Sequence, residues 1–293
     1  GDRQTVPFKH TLFGLDSQTV TGVEYNRIRF HLASNSPFTD TFSDGPPIDV
    51  NHPEPGKFAS NSVFLPLFAT TTKTVAGFAE NRLQLTDQLS LITGLRRDYA
   101  HVEREGLRDG SQSDKTLTGN NWKAGLVYAI TPDTSVYGQY STSTDGVGGL
   151  ISLSPSQQQF DRYTAEQTEI GIKQAFWDQR GEWTLAAYHI VKKKLLTDIP
   201  GDPDHQQQVG QQSSRGLEAS LDLQLPHAWA LQANAAIVHA PYDDFSPDVN
   251  GVQVSRDGNR PVDVPRRTAN LWLSKAVPAA LRARSRVRSA APR

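Results

Sequence analysis

The sequence predicts an all-β fold, an antiparallel transmembrane β-barrel, and three observations carry that prediction. Polar and apolar residues alternate in stretches such as 210–224, GQQSSRGLEASLDLQ. There Leu217, Ala219, Leu221 and Leu223 are apolar, while Glu218, Ser220, Asp222 and Gln224 are polar. About twelve such segments occur, each roughly 11 to 17 residues, whereas strands of soluble proteins average about 5–6. Short turns and long polar loops alternate between them, as expected of a barrel trimmed at one end and elaborated at the other.

Taken in order, 7–17 and 19–32 read as a first pair, followed by a long Pro-rich polar stretch over 33–70. Residues 71–85 meet 89–103 across the turn TDQ at 86–88. Residues 118–130 and 134–144 are joined by TPD, and 161–176 and 183–196 by WDQRGE. Residues 208–224 and 229–241 are joined around Pro226, and 264–276 and 280–289 near Pro278. One face of 122–130 carries Trp122, Ala124, Leu126, Tyr128 and Ile130, opposite Asn121, Lys123 and Gly125. Trp229, Leu231, Ala233, Ala235 and Ile237 repeat the pattern opposite Gln232 and Asn234. Trp122 and Trp229 lie near strand ends, where an interfacial aromatic girdle would place them; packing in a soluble core is the rival reading. Two segments dissent: 183–190 is apolar on both faces, and 71–85 mixes Phe78 with Glu80 and Arg82.

Composition agrees with a wet-centred barrel. Hydrophobic residues make up only 37% of the 293, thin for a conventional core of this size. No apolar run approaches the roughly 18 residues of a membrane helix, which leaves spanning strands open. The net charge of -1 gives no field for nucleic acid, so no nucleic-acid partner is expected. Cysteine is absent, which removes disulfides and thiolate metal sites. Methionine is absent as well and the sequence starts at Gly1, so a fragment or processed form is expected. Residues 1–293 are read as one partial barrel domain. Its end, 278–293, is either a strand or an atypical tail. As a spanning strand it would have to turn Arg282, Arg284, Arg286 and Arg288 to the lumen, because a lipid-facing Arg at mid-membrane costs about 2–4 kcal/mol.

Six stretches in order carry a family resemblance: HTLFGLDSQ (10–18), GFAENRLQLTDQLSLITGLRRDY (77–99), NNWKAGLVYAITPDTSVYGQYSTS (120–143), TAEQTEIGIKQAFWDQRGEWTLAAYHIVKKKLLT (164–197), VGQQSSRGLEASL (209–221) and VPRRTANLWLSKAV (264–277). Together they resemble the siderophore-receptor branch of the TonB-dependent outer-membrane receptors, over most of residues 7 to 277. The resemblance implies a 22-stranded barrel around an N-terminal plug, of which this chain holds about twelve strands. It also implies uptake of ferric siderophores, driven by TonB–ExbB–ExbD through an N-terminal box. The plug, the box and the closing strands are expected to lie outside this sequence.

No hydrolase or phosphate-binding signature is present and the eight histidines are scattered, so neither an enzyme nor a metal centre is expected. The resemblance implies no protein cofactor, because a ferric siderophore carries its own iron. Such a ligand calls for aromatic and basic side chains, which stack on it and donate charge-assisted hydrogen bonds. By the alternation, the outer loops are 33–70, 104–117, 145–160, 197–207 and 242–263. Phe160, Tyr163, Tyr242 and Phe245 stand at their rims, and Arg256 and Arg260 lie within the last. These six are the candidate ligand-binding residues, with interfacial anchoring or loop packing as the alternative. Lys192, Lys193 and Lys194 are expected near an outer strand end, either against outer-membrane lipid and lipopolysaccharide phosphates or simply solvated. A passive porin, a soluble β-sandwich binding module and a barrel enzyme are the rival functions.

Overall fold

The computed structural model describes residues 1–34, 49, 51–52, 64–144, 160–199, 202–249 and 252–276. Its strands are β1 (Asp2–Leu12), β2 (Leu15–Ser34), β3 (Leu65–Gln84), β4 (Leu89–Gly106), β5 (Gln112–Thr131), β6 (Thr134–Thr144) and β7 (Thr164–Phe176). They continue as β8 (Gly181–Ile199), β9 (Asp202–Leu225), β10 (Trp229–His239), β11 (Tyr242–Asp244), β12 (Asp248–Val249), β13 (Val252–Gln253) and β14 (Arg267–Lys275). One sheet runs in chain order from β1 to β10 and on to β14, antiparallel at every step, with β11 added to β9 and β12–β13 a separate small ribbon. This is the serial antiparallel sheet that the alternation predicts.

The register sorts the side chains into two faces that stay continuous across strands. One row pairs Tyr25, Val75, Tyr99 and Thr118. Another runs through Leu91, Leu126, Gly138, Ile170, Ala187, Leu217, Ile237 and Arg267. This apolar face is turned outward: Val23, Leu95, Trp122, Ile170, Leu217, Ile237, Leu271 and Leu273 are all exposed. Large apolar side chains are thus gathered outside, where lipid accommodates them. Among the described residues the buried apolar cluster is only Ala100, Val102 and Leu117.

The other face is polar and internally bonded. Arg96 contacts Glu24 at 3.1 Å and Asp98 at 2.8 Å. Lys123 meets Glu80 at 2.6 Å, Lys173 meets Glu182 at 2.7 Å, and Tyr137 donates to Glu169 at 2.8 Å. Both dissenting segments are resolved here. Phe78 belongs to this inner face, beneath the guanidinium of Arg3 at 4.7 Å and across from Gly22. Along β8, Trp183, Leu185 and Ala187 go to the outer face, while Tyr188 lies inside, across from Gly216. A Cβ on Gly216 would stand 2.8 Å from the Tyr188 hydroxyl and 2.6 Å from the Ile237 carbonyl oxygen, so this close approach requires glycine.

Hydrogen-bonded rows and the apolar band are not parallel. The row that begins at Leu91, beside the turn end of β4, finishes at Arg267, the loop end of β14. The band meanwhile occupies Leu91 to Tyr99 on β4 and Leu217 to Leu223 on β9. Strands that drift in this way are tilted to the band, as closure of a sheet into a barrel demands.

Four expectations are corrected. The first turn is not at residue 18: Leu12 pairs with Leu15, and Phe13 (φ 54) and Gly14 (φ 76) make the tight two-residue hairpin turn. The loops expected at 104–117 and 197–207 shrink to 107–111 and 200–201, because β4, β5, β8 and β9 extend into them. Polar–apolar alternation stops at the edge of the apolar band, but main-chain pairing continues beyond it, and periodicity does not register that. The loop over 242–263 also carries the short strands β11 to β13. The proposed strand 280–289 and most of loops 33–70 and 145–160 lie outside the described residues.

Candidate functional site

At the loop end of the inner face, register brings distant segments into one row: Ala165 opposite Lys192, Lys192 opposite Gln212, Gln212 opposite Tyr242. The residues before β7 are tied to this row. Asp161 donates its backbone N–H to Gln208 Oε1 at 3.0 Å, and Gln208 Nε2 donates back to the Asp161 carbonyl at 2.6 Å. Tyr163 then takes the Lys192 ammonium against its ring, 4.5 Å from the centroid. At the other end Tyr242 and Phe245 stack, with centroids 4.4 Å apart and planes within 16°. Two rims that are about 80 residues apart in sequence thus share one strip, because strands β8 and β9 bridge them.

The six candidates fare differently. Tyr163 and Tyr242 are half-buried and reach the strip, and Phe245 reaches it through its stack on Tyr242. Phe160 is half-buried at the start of the same tied segment. Arg256 is held by its backbone N–H, which donates to the Phe245 carbonyl at 2.8 Å, so it borders the stack. Arg260 is committed elsewhere: its guanidinium donates to the carbonyls of Val264 at 3.3 Å and Val238 at 3.4 Å, fastening the loop to the end of β10. The lysine triplet divides. Lys192 faces inward, Lys193 faces outward and grips Glu166 at 2.7 Å, and Lys194 sits at φ 63 in a bulge.

A second aromatic and basic pairing lies on the same face at β3–β4, and sequence reasoning did not single it out. The Arg104 guanidinium lies 3.4 Å from the Phe68 ring centroid, and Phe30 packs 6.0 Å from Phe68. The signal that would have found it is the inward parity of Phe30, Phe68 and Arg104, available only once the register is known. Below both places the inner face carries the Arg96, Lys123 and Lys173 ion pairs, a surface suited to polar contents. Beyond the strands, the Asp109 carboxylate accepts from the Ser111 backbone N–H at 3.0 Å and hydroxyl at 2.8 Å, and these bonds hold it below the usual carboxylate range. Among the described residues no cluster of three His, Asp or Glu side chains is arranged to hold a metal.

A family model described as the TonB-dependent receptor-like β-barrel matches residues 1–287. The siderophore receptor PiuA of Acinetobacter baumannii is 25% identical over 248 residues, covering 78% of this chain and 32% of that protein. The metal-pseudopaline receptor CntO of Pseudomonas aeruginosa is 25% identical over 289 residues, covering 92% and 36%. In solved structures, PiuA superposes with a TM-score of 0.77 at 20% identity over 93% of this chain and 43% of that one. The ferric-catecholate import receptor Fiu of Escherichia coli follows at 0.73 and 21%, over 93% and 41%. The chain spans about a third of the length of the curated relatives it matches.

Proposed function

The chain belongs to the TonB-dependent receptor β-barrel family of the Gram-negative outer membrane, and from that membership we propose that its protein takes up ferric siderophores. Energy would come from TonB–ExbB–ExbD, acting on parts of the protein beyond these residues. The protein is a receptor and carrier, and catalyses no change in the chelate. The observation that carries this reading is the inward strip at the loop end, where Tyr163, Lys192, Tyr242 and Phe245 offer aromatic faces and an ammonium to a large anionic chelate. Arg104 and Phe68 offer the same chemistry on β3–β4. Arg260, spent on backbone carbonyls, supports the loop and is not assigned a ligand contact.

The test is equilibrium binding of catecholate, hydroxamate and carboxylate ferric chelates to the full-length protein in detergent. One class should bind, and Tyr163→Ala with Tyr242→Ala should weaken it about tenfold, since each aromatic contact contributes about 0.5–1.5 kcal/mol. Failure of all three classes to bind, or unchanged affinity in the double variant, would overturn the proposal.

A further inference from the structure

Just beyond the apolar band, the outer face of β8, β9 and β10 carries His189, Arg215 and His239 directly side by side. All three are exposed. They stand one alternate position past the row Ala187–Leu217–Ile237, and that row ends at Arg267 on β14. Arg267 is therefore the diagonal neighbour of His239, and the two guanidiniums bracket one stretch of the band's edge. From Trp229 to Ile237 the band runs about 26 Å along the strand, or about 20 Å of height once tilted by 35–45°, close to the lipid-facing band of such barrels. Side chains two positions farther out stand at headgroup depth, and Arg reaches there with an apolar stem.

The same edge on β2–β4 is also basic, with Arg27, Lys73 and His101 in one row. There, however, Glu103 lies 2.8 Å from Lys73 and 3.3 Å from His101, so two of the three cations are met within the sheet. Near Arg215, two outward carboxylates have partners of their own, one of them cationic. Glu166 is held by Lys193 at 2.7 Å, and Asp243 accepts from Ser213 Oγ at 2.8 Å and faces Gln211 Nε2 at 3.4 Å. Thr168, across from His189, adds a hydroxyl and no charge. A cationic row at headgroup depth, in which neither Arg215 nor Arg267 is paired with a carboxylate among the described residues, is complementary to phosphate.

We propose that His189, Arg215, His239 and Arg267 form a docking row for the phosphates of outer-leaflet lipid, with Arg215 as its centre. The row sits on the lipid side of the sheet, opposite the ligand strip. It rests on the membrane-barrel assignment and not on what the protein transports. Arg215 supplies the planar fork that meets two phosphate oxygens at once, and Arg267 a second charge along the same edge.

The experiment uses the full-length protein in nanodiscs of phosphatidylcholine doped with either bisphosphorylated lipid A or its dephosphorylated form, and measures lipid retained after extraction with mild detergent. Wild type should retain the phosphorylated form at least fivefold over the dephosphorylated one. Arg215→Gln with Arg267→Gln should lose that preference, and Arg215→Lys should keep part of it. Gel mobility before and after heating reports that each variant is folded. Equal retention of both lipids by wild type, or an undiminished preference in the folded double glutamine variant, would overturn the proposal. Ferric-chelate binding by the same samples reads the ligand strip separately, so the two proposals fail independently.

Discussion

At the scale of single residues, a steric constraint arises where an inner-face aromatic lies across a strand glycine. Tyr188 covers Gly216 and Tyr137 covers Gly171, and a Cβ on Gly171 would come within 2.5 Å of the Tyr137 ring. At Gly216 the closest atom is a backbone oxygen, which has no rotamer to escape into. Gly216→Val should therefore destabilise the barrel by about 1–3 kcal/mol, the usual range for overpacking. Gly77→Val, where nothing lies within 4 Å of an added Cβ, should leave thermal stability within error; equal losses would refute the steric account. Arg96 presents a charge problem instead. Asp98 is only 7% exposed and leans on Arg96, with Asn121 adding a bond at 3.2 Å. Arg96→Leu would strand that carboxylate and should cost about 2 kcal/mol or more, whereas Lys193→Leu, in a more open pair, should cost under about 1 kcal/mol. Denaturant titration of both variants measures the difference. Asp109 carries a pH signature. Its carboxyl is held below the usual range when folded, so its bonds to Ser111 persist above the unfolded value and are lost as pH falls through the folded one. Amide exchange at Ser111 should accelerate below about pH 4, relative to Gly110, whose N–H bonds to Gly106 instead.

At the scale of the element, β9 shows what alternation conveys and what it leaves out. Leu217, Ala219, Leu221 and Leu223 pair with Ile237, Ala235, Ala233 and Leu231 on the outer face, and Glu218, Ser220 and Asp222 share the inner face with Thr184 and Glu182. Both faces of this strand were legible in the sequence, because burial in lipid and exposure to water demand opposite residue types at period two. The extension of β9 to Asp202 was not, since DPDHQQQ (202–208) carries no polar–apolar alternation and main-chain pairing with β8 alone marks it as strand. The first hairpin escapes pattern reading for a related reason: Phe13–Gly14 turns the chain without the usual Asn-Gly or Asp-Gly pair. For the site, the rim aromatics were readable as residue types, but their convergence through Lys192 and Gln212 depends on register, and so does the parting of Lys192 from Lys193. Ala219→Lys should cost about 2–4 kcal/mol and Ser220→Lys far less, because only the first drives a charge into lipid. A nitroxide at position 219 should be quenched by lipid-soluble and not by water-soluble agents. The reverse result would exchange the two faces of the sheet.

At the scale of the whole molecule, the drift of the band across the hydrogen-bonded rows links the sheet to its surroundings. A tilted sheet must continue around until its edges meet, or its outermost strands keep unpaired main-chain groups in lipid, where no water can satisfy them. Among the described residues β1 pairs only with β2 and β14 only with β10, so each presents one open edge, and every residue of β14 is exposed. The curated relatives are about three times as long. Membership of the family and the length comparison make further strands of the same barrel the expected partners of β1 and β14. The consequence is a test of cooperativity. Residues 1–276 expressed alone and refolded in detergent should give no species that resists SDS at room temperature and shifts on heating, because two raw edges template association between copies. The full-length protein should show that shift. A monomeric, SDS-resistant fragment would mean that β1 and β14 find each other, and that eleven serial strands suffice to close this sheet.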